Sequence, residues 1–523
     1  MKTSNAKKNE KPTLFNRFLD GIEAVGNKLP HPATIFAILS LAAILISHLA
    51  AVTGVSVEFE MINRSTFESQ QTTIHAVSLL SAEGIRRIFA EAVDNFTGFA
   101  PLGTVLVAML GVGIAEGTGM IQALLKKLVL STPKRLITMV VVIAGIMSNV
   151  ASDAGYVVLV PLGALVFLSF GRHPLAGLAA AFAGVSGGFS ANLMVSTLDP
   201  LLGGISQQAA QMMSPGYVVN PTANWFFMIV STFLITGIGT FVTEKIVEPR
   251  LGEYKGSKSA GNDDDIQRLS SAEKRGLIGA LIGFVVLITS ILILTVPANG
   301  ILRNPETGSL LSGSAFMSGL VPIIALFFMV PGIGYGIGAK TIKNDKDVAQ
   351  FMSDAMSSMG GYLVLAFVAA QFISYFNWSN LGKIVAVKGA EFLEATGFTG
   401  LPLLLLFIIV SGCINLFIGS ASAKWAIMAP VFVPMFMAIG YSPQFSQVAY
   451  RIGDSVTNII SPLMAYFAVI VAFAQKYKKD TGIGTLISMM LPYSIFFLIG
   501  WVILFAIWFT LGLPLGPGAF IRL

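Results

Sequence analysis

The sequence predicts an all-α polytopic membrane protein, with nine transmembrane helices plus two re-entrant helical hairpins in an inverted repeat. Three observations predict it. First, the 523 residues are 54% hydrophobic and only 11% charged, where a soluble domain carries about 25% charged residues; mean hydropathy is +0.77. Second, two apolar stretches are too long for one crossing and have polar centres. Third, the cationic residues segregate onto alternate loops. These values exclude a soluble enzyme, a disordered scaffold and a nucleic-acid-binding protein. The net charge of +6 resides in loops, as it does in membrane proteins. Cys413 is the single cysteine, which excludes an intrachain disulfide and a cysteine-based metal site. His31, His48, His75 and His173 include no i, i+4 pair, so no zinc site is expected.

The elements follow in order. Residues 1–30 are polar and basic, and the first apolar run extends from Ala33 to about Val52. That run reads as a true first helix rather than a cleaved signal. The ordinary spans are 33–54, 99–121, 174–212, 222–246, 275–297, 316–338, 348–376, 444–475 and 484–512. The unusual pair are 136–170 and 400–440. Forty helical residues would measure about 60 Å, twice the hydrocarbon core, so each must cross twice or enter and return. The first centre reads Ser148-Asn149-Val150-Ala151-Ser152-Asp153-Ala154-Gly155. The second reads Gly412-Cys413-Ile414-Asn415, then Gly419-Ser420-Ala421-Ser422-Ala423-Lys424-Trp425.

With the N-terminus in the cytoplasm and both stretches re-entrant, cytoplasmic segments hold 24 Lys and Arg and outside segments 7. That is a strong positive-inside bias. The two hairpins then enter from opposite faces, which predicts an inverted repeat. A trace of one survives: Pro161, Pro174 and Gly184 have the same spacing as Pro430, Pro443 and Gly453. Inverted halves with interrupted apolar segments mark a secondary transporter. The halves are residues 1–246 and 275–523, joined by a hydrophilic cytoplasmic linker, 247–274, whose Asp263-Asp264-Asp265 run reads as solvated charge.

Charges at membrane depth are costly, about 2.5–3.5 kcal/mol each on insertion scales. Asp153, Asp199, Lys424, Arg451 and Asp454 fall there; Glu116 lies nearer a span end. Arg451 and Asp454 are i, i+3 and share a helical face. One reading is a self-neutralising ion pair. The other is an arginine meeting an anionic substrate and an aspartate meeting a cation. Ser455, Thr457, Asn458 and Ser461 follow, and Pro462 then interrupts the helix and frees a carbonyl. The opposing half offers Ser186-Gly187-Gly188-Phe189-Ser190-Ala191-Asn192 and Ser196-Thr197-Leu198-Asp199-Pro200, which reads as a broken helix. Asn192, Asn458, Asp199 and Asp454 present oxygens suited to a hard cation such as sodium; interhelical hydrogen bonding is the alternative for Asn192 and Ser190. Asn149 and Asn415 occupy similar places in the two hairpins and are further candidate ligands of the coupling ion. Ser420, Ser422 and Trp425 line the second tip, where Trp425 either stacks on an aromatic ring or anchors at the interface. The glycine patterns lie in apolar spans without a βαβ context, so helix packing explains them better than phosphate binding. With no Walker motif and no nucleophile constellation, neither ATP-driven transport nor an enzyme is expected.

Several longer stretches together resemble the p-aminobenzoyl-glutamate transporter (AbgT) family. They are Asn95-Phe96-Thr97-Gly98-Phe99-Ala100-Pro101-Leu102-Gly103, Gly171-Arg172-His173-Pro174-Leu175-Ala176-Gly177-Leu178, Gly419 to Trp425, and Tyr450-Arg451-Ile452-Gly453-Asp454-Ser455. The resemblance runs from Leu29-Pro30-His31-Pro32 to the C-terminal Gly-Leu-Pro-Leu-Gly-Pro-Gly, and is greatest to the branch described as antimetabolite (sulfonamide) efflux pumps. It implies a bowl-shaped homodimer in the bacterial inner membrane, with one pathway per subunit. It also implies p-aminobenzoyl-glutamate uptake or sulfonamide export, and with the latter antibiotic resistance. The family's implicated residues map onto Asp199, Ser422, Trp425, Pro443, Arg451, Asp454 and Pro462; a bound sodium ion is implied too. Lys424 departs from relatives that carry a neutral residue there; it either biases the site toward anions or snorkels outward. From the residues alone, an arginine, a lysine and a tryptophan among hydroxyls suit a small aromatic anion, moved with Na⁺ or H⁺. A sodium-coupled dicarboxylate carrier of similar two-hairpin design is the alternative, ahead of a channel or an intramembrane enzyme.

Overall fold

The computed structural model describes residue 30 and residues 32–62, 69–130, 133–151, 155–254, 269–310, 314–397, 399–462, 464 and 466–523. The N-terminal basic cluster, His31, Arg64, Asp153 and the acidic run at 263–265 lie outside the described residues.

The first long helix is α1 (Pro32–Val52), followed by an antiparallel hairpin of β1 (Ser56–Ile62) and β2 (Ser69–His75) with Ser56 opposite His75. Next come α2 (Ala100–Gly117) and α3 (Met120–Leu130). The stretch 136–170 forms α4 (Ile137–Ser148) and, after a break and a π-helical turn, α5 (Val160–Ser169). Then follow α6 (Pro174–Phe182), α7 (Leu198–Gln211) and α8 (Trp225–Val242). The second half opens with α9 (Ser271–Thr295), α10 (Leu320–Ala339), α11 (Asp345–Ser358), α12 (Gly360–Trp378) and α13 (Leu381–Ala395). It closes with α14 (Gly400–Asn415), α15 (Ala421–Ala438), α16 (Pro443–Asn458), α17 (Phe467–Gln475) and α18 (Ile483–Leu511).

Seven described helices are long and apolar enough to cross a membrane: α1, α8 with its extension to Leu251, α9, α10, α12, α15 and α18. An eighth appears if Leu102–Gly117 and Met120–Lys127, bent by 64°, form one span. The outer helices have the surface of lipid-facing elements. On α9, Ile278, Leu281, Val285 and Ile293 are exposed, while Gly276 and Ala280 face inward. A Cβ on Gly279 would lie 2.1 Å from the Gly334 carbonyl, so α9 and α10 touch backbone to backbone, as small residues permit between membrane helices.

Besides short breaks after Gly117 in 99–121, at Gly319 in 316–338 and at Met359 in 348–376, two stretches read from sequence as ordinary spans lose helix over longer segments. In 174–212, α6 ends in a π-helical turn at Ala183–Gly187, and irregular chain runs to α7. In 444–475, α16 ends at Asn458 and α17 begins only at Phe467. Glycines and Pro200 lie at or beside the first break and Pro462 in the second, where a missing donor or Cβ removes helical restraint. Helix α13 occupies a segment that its Lys383, Lys388, Glu391 and Glu394 disguise as a loop.

In both halves a glycine lets the first arm of the interrupted stretch meet a later helix. A Cβ on Gly184 would fall 2.3 Å from the Val142 carbonyl, and one on Gly453 would fall 2.3 Å from the Ile408 carbonyl. The Asn at each break then reaches the later segment: Asn149 Nδ2 donates to the Gly188 carbonyl at 3.5 Å, and Asn415 Nδ2 to the Asp454 carbonyl at 2.9 Å. Helix α16 is buried along nearly its whole length, although Gln447, Arg451, Asp454 and Asn458 form one polar stripe on it. A polar stripe without access to solvent must find its partners inside the protein.

Candidate transport site

Helix α16 supplies the centre of the site, and α7, α14 and α15 pack around it. Ser442 caps α16 by accepting from Phe445 N, and Pro443 sits buried in the first turn, where its fixed φ costs nothing. Ser420 caps α15 by accepting from Ala423 N at 3.4 Å, and its hydroxyl is 3.5 Å from that of Ser422. Pro462 lies half-buried just past the end of α16.

Arg451 and Asp454 do not pair with each other. Arg451 Nη2 donates to Asp199 Oδ1 of α7 at 2.6 Å. Asp199 Oδ2 accepts from the backbone N and the hydroxyl of Ser196, at 2.6 and 2.9 Å, so the carboxylate is fixed on both oxygens. Arg451 Nη1 is 3.5 Å from Asn224 Oδ1, and its Nε has no hydrogen-bond partner among the described residues. Arg451 also lines a small cavity together with Ser190, Asn224 and Trp501.

Asp454 instead meets Lys424 of α15, whose Nζ is 2.5 Å from Oδ1. The same ammonium donates to Asn415 Oδ1 and lies 5.4 Å from the centre of the Tyr450 ring. The Lys424 side chain has no exposed surface, so it turns inward and does not snorkel. Asn415 Nδ2 approaches Thr457 Oγ1 at 2.9 Å and Asn458 Oδ1 at 2.7 Å, while Asn458 Nδ2 points to Asp454 Oδ2 at 3.4 Å. Both ion pairs are thus buried and cross-link α16 to neighbouring elements. Breaking such a pair by removing one partner typically costs about 3–5 kcal/mol.

Trp425 is fully buried, stacked on Tyr450 with ring centres 4.5 Å apart. Its Nε1 donates to Ser206 Oγ at 2.9 Å, and Ser206 contacts Gln447 Oε1 at 2.7 Å. Tyr450 Oη donates to the Ala421 carbonyl at 2.5 Å, tying α16 to the tip of α15. The indole therefore stacks on the chain's own aromatic ring.

The residues singled out from sequence fall into two groups. Asp199, Ser420, Ser422, Trp425, Arg451, Asp454, Asn415 and Asn458 converge on the junction of α7, α14, α15 and α16. Asn149 and Asn192 bond elsewhere: Asn149 donates across the break to the Gly188 carbonyl, and Asn192 accepts from Met194 N. Ser206, Asn224, Gln447 and Tyr450 complete the junction and were missed. Two of them carried a signal: Ser206 follows Asp199 by seven residues, and Gln447 precedes Arg451 by four, so each shares a helical face with its charged neighbour.

A free sodium ion does not fit the donor set in this conformation. Asp454 Oδ1 and Asn415 Oδ1 already bind an ammonium, and Asn458 Oδ1 accepts from Asn415. In the first half, the atom of Asn192 without a partner among the described residues is its amide nitrogen, a donor, which leaves Asn149 Oδ1 as the one open acceptor of that pair there.

The profile of the AbgT putative transporter family matches residues 17–523. The chain belongs to the AbgT transporter family. A relative, the p-aminobenzoyl-glutamate transport protein of Escherichia coli (strain K12), is 39% identical over 502 residues, covering 96% of each chain. Among solved structures, the YdaH transporter of Alcanivorax borkumensis superposes with a TM-score of 0.87 at 45% identity, over 93% of this chain and all of that one. MtrF of Neisseria gonorrhoeae, described within a class of antimetabolite efflux pumps, gives 0.90 at 54% identity, over 96% of this chain and all of that one. Family membership and the apolar helices together make this a multi-pass membrane transport protein.

Proposed function

We propose that this chain is a cation-coupled secondary transporter that carries p-aminobenzoyl-glutamate, exports sulfonamide-type antimetabolites, or both. It would work as a homodimer in the bacterial inner membrane, with its N-terminus in the cytoplasm. The interrupted stretches 136–170 and 400–440 would act as re-entrant hairpins, bringing the spans to nine. One observation carries this reading: two cationic side chains, Arg451 and Lys424, and a stacked Trp425–Tyr450 pair meet at one junction where α7 of the first half packs on α15 and α16 of the second. The names of the relatives supply the substrate.

The chemistry is competition. Each cation is paired with a carboxylate of the chain itself. An anionic substrate at Arg451 takes the place of Asp199 and so releases α7 from α16. Likewise, an aromatic ring that enters beside Trp425 competes with Tyr450. Binding then favours a second arrangement of the helices, which is what a carrier requires. Ser420 and Ser422 provide hydroxyls at the tip, and Pro443 and Pro462 bound the helix that would move. A cation gradient, of sodium or protons, would supply the driving force.

The test is flux of radiolabelled p-aminobenzoyl-glutamate and of a sulfonamide in proteoliposomes, with sodium and proton gradients imposed separately. Saturable, gradient-dependent flux that Asp454→Ala abolishes is expected. Absence of flux for both compounds in folded protein would overturn the substrate assignment.

A further inference from the structure

We propose that the ammonium of Lys424 is the resident cation of the cage formed by Asn415, Asp454 and Asn458, so that this site takes no free sodium. The inference rests on the reading of the chain as a cation-coupled carrier for its consequence, and on side-chain geometry for its substance.

The cage has the chemistry of a hard-cation site: one carboxylate, two side-chain amides and no sulfur or imidazole. Its framework is rigid. Asn415 is held through Nδ2 by the Asp454 carbonyl at 2.9 Å, Thr457 Oγ1 at 2.9 Å and Asn458 Oδ1 at 2.7 Å. That leaves Asn415 Oδ1 and Asp454 Oδ1 aimed at one point. The point is filled by Lys424 Nζ, 2.5 Å from Asp454 Oδ1 and hydrogen-bonded to Asn415 Oδ1. The Tyr450 ring, with its centre 5.4 Å away, adds a cation–π contact.

Charge decides the matter. Asp454 is neutralised by Lys424, and both are essentially free of solvent. A sodium ion added to this set would leave one uncompensated positive charge buried beside an ammonium, with no unused carboxylate oxygen facing it. A tethered cation therefore replaces a diffusible one. Truncating Lys424 to alanine does the reverse: it leaves a buried carboxylate, amide oxygens and the space of three methylene groups and the ammonium, which is a vacant monovalent-cation site. The consequence is that sodium binding at this cage is not part of the chain's transport cycle in this conformation.

The experiment is a thermal-unfolding series on the purified full chain in detergent. Sodium chloride is compared with choline chloride at equal ionic strength. For wild type, the midpoint is expected to be the same in both salts. Lys424→Ala should gain a saturable sodium-specific rise of about a few degrees, as expected when an ion binds only the folded state. Adding Asp454→Asn to that variant should abolish the rise. Lys424→Met, which keeps the apolar stem, serves if the alanine variant does not fold. A sodium-specific rise in wild type that Asp454→Asn removes would overturn the proposal. So would folded Lys424 variants that do not respond to sodium. Flux of p-aminobenzoyl-glutamate, measured alongside, separates the two readings: its absence counts against the transport assignment and leaves the ion result standing.

Discussion

Replacing Asp199 with alanine tests whether the α7–α16 ion pair acts as a unit. In the folded protein, Arg451 Nη2 donates to Asp199 Oδ1 at 2.6 Å; Nη1 has a weak 3.5 Å contact with Asn224, and Nε has no partner among the described residues. Asp199→Ala therefore strands a guanidinium whose side chain is 4% exposed. Stranding one member of a buried pair costs about 3–5 kcal/mol, whereas replacing both by apolar groups is often close to neutral. The double variant Asp199→Ala/Arg451→Met should recover most of the loss, giving a coupling energy of about 2 kcal/mol or more. The assay is a double-mutant cycle on unfolding in mixed detergent micelles. Additive losses, with no recovery in the double variant, would refute the argument that these charges compensate each other.

Three further outcomes are expected. Gly453→Ala should drive α14 and α16 apart, because its Cβ would lie 2.3 Å from the Ile408 carbonyl and 2.9 Å from Gly412 N; loss of monodispersity on size exclusion is expected, but not for Gly482→Ala, which meets no atom within 4 Å. Trp425→Phe should cost about 1 kcal/mol through the lost Ser206 bond, and Trp425→Ala about 3–5 kcal/mol through the lost buried ring, read as separated unfolding midpoints. Burial holds the His173 imidazole below its ordinary 6.5, with Glu248 opposing and Lys478 adding to the shift, and its Nδ1 accepts from Leu175 N as a helix cap. The unfolded chain thus takes up that proton before the folded one does. The contribution is present above pH 6.5 and lost as pH falls through the lowered value. Relative to His173→Asn, which keeps a cap, wild type should lose stability between pH 7.5 and 5; parallel pH curves would contradict this.

The membrane class and the two polar interruptions were legible because composition and long apolar runs are strong signals, set by the hydrocarbon thickness. The charged residues of the site were legible for the same reason: Asp199, Lys424, Arg451 and Asp454 are expensive at membrane depth and need an explanation. Which charge meets which was not legible. Arg451 and Asp454 share a helical face, yet each is drawn to an opposite charge on another element, Asp199 at one side and Lys424 at the other. Three-dimensional placement decides that, and no spacing along α16 encodes it. Lys424 was read as outward-facing or substrate-facing because a lysine stem reaches solvent from most helix positions. Only the position of Asn415 shows that its ammonium has a ready-made acceptor pair. Helix α13 was obscured by its charges, and the interruptions in 174–212 and 444–475 by the apolar character that continues across them.

On the proposed function, the junction of α7, α15 and α16 receives a small aromatic anion. Equilibrium binding of labelled p-aminobenzoyl-glutamate to the purified chain, with unlabelled sulfonamide and succinate as competitors, tests it most directly. Saturable binding is expected, displaced by the sulfonamide and not by succinate, weakened about tenfold or more in Trp425→Ala and largely retained in Trp425→Phe. Equal displacement by succinate, or unchanged binding in folded Trp425→Ala, would contradict it.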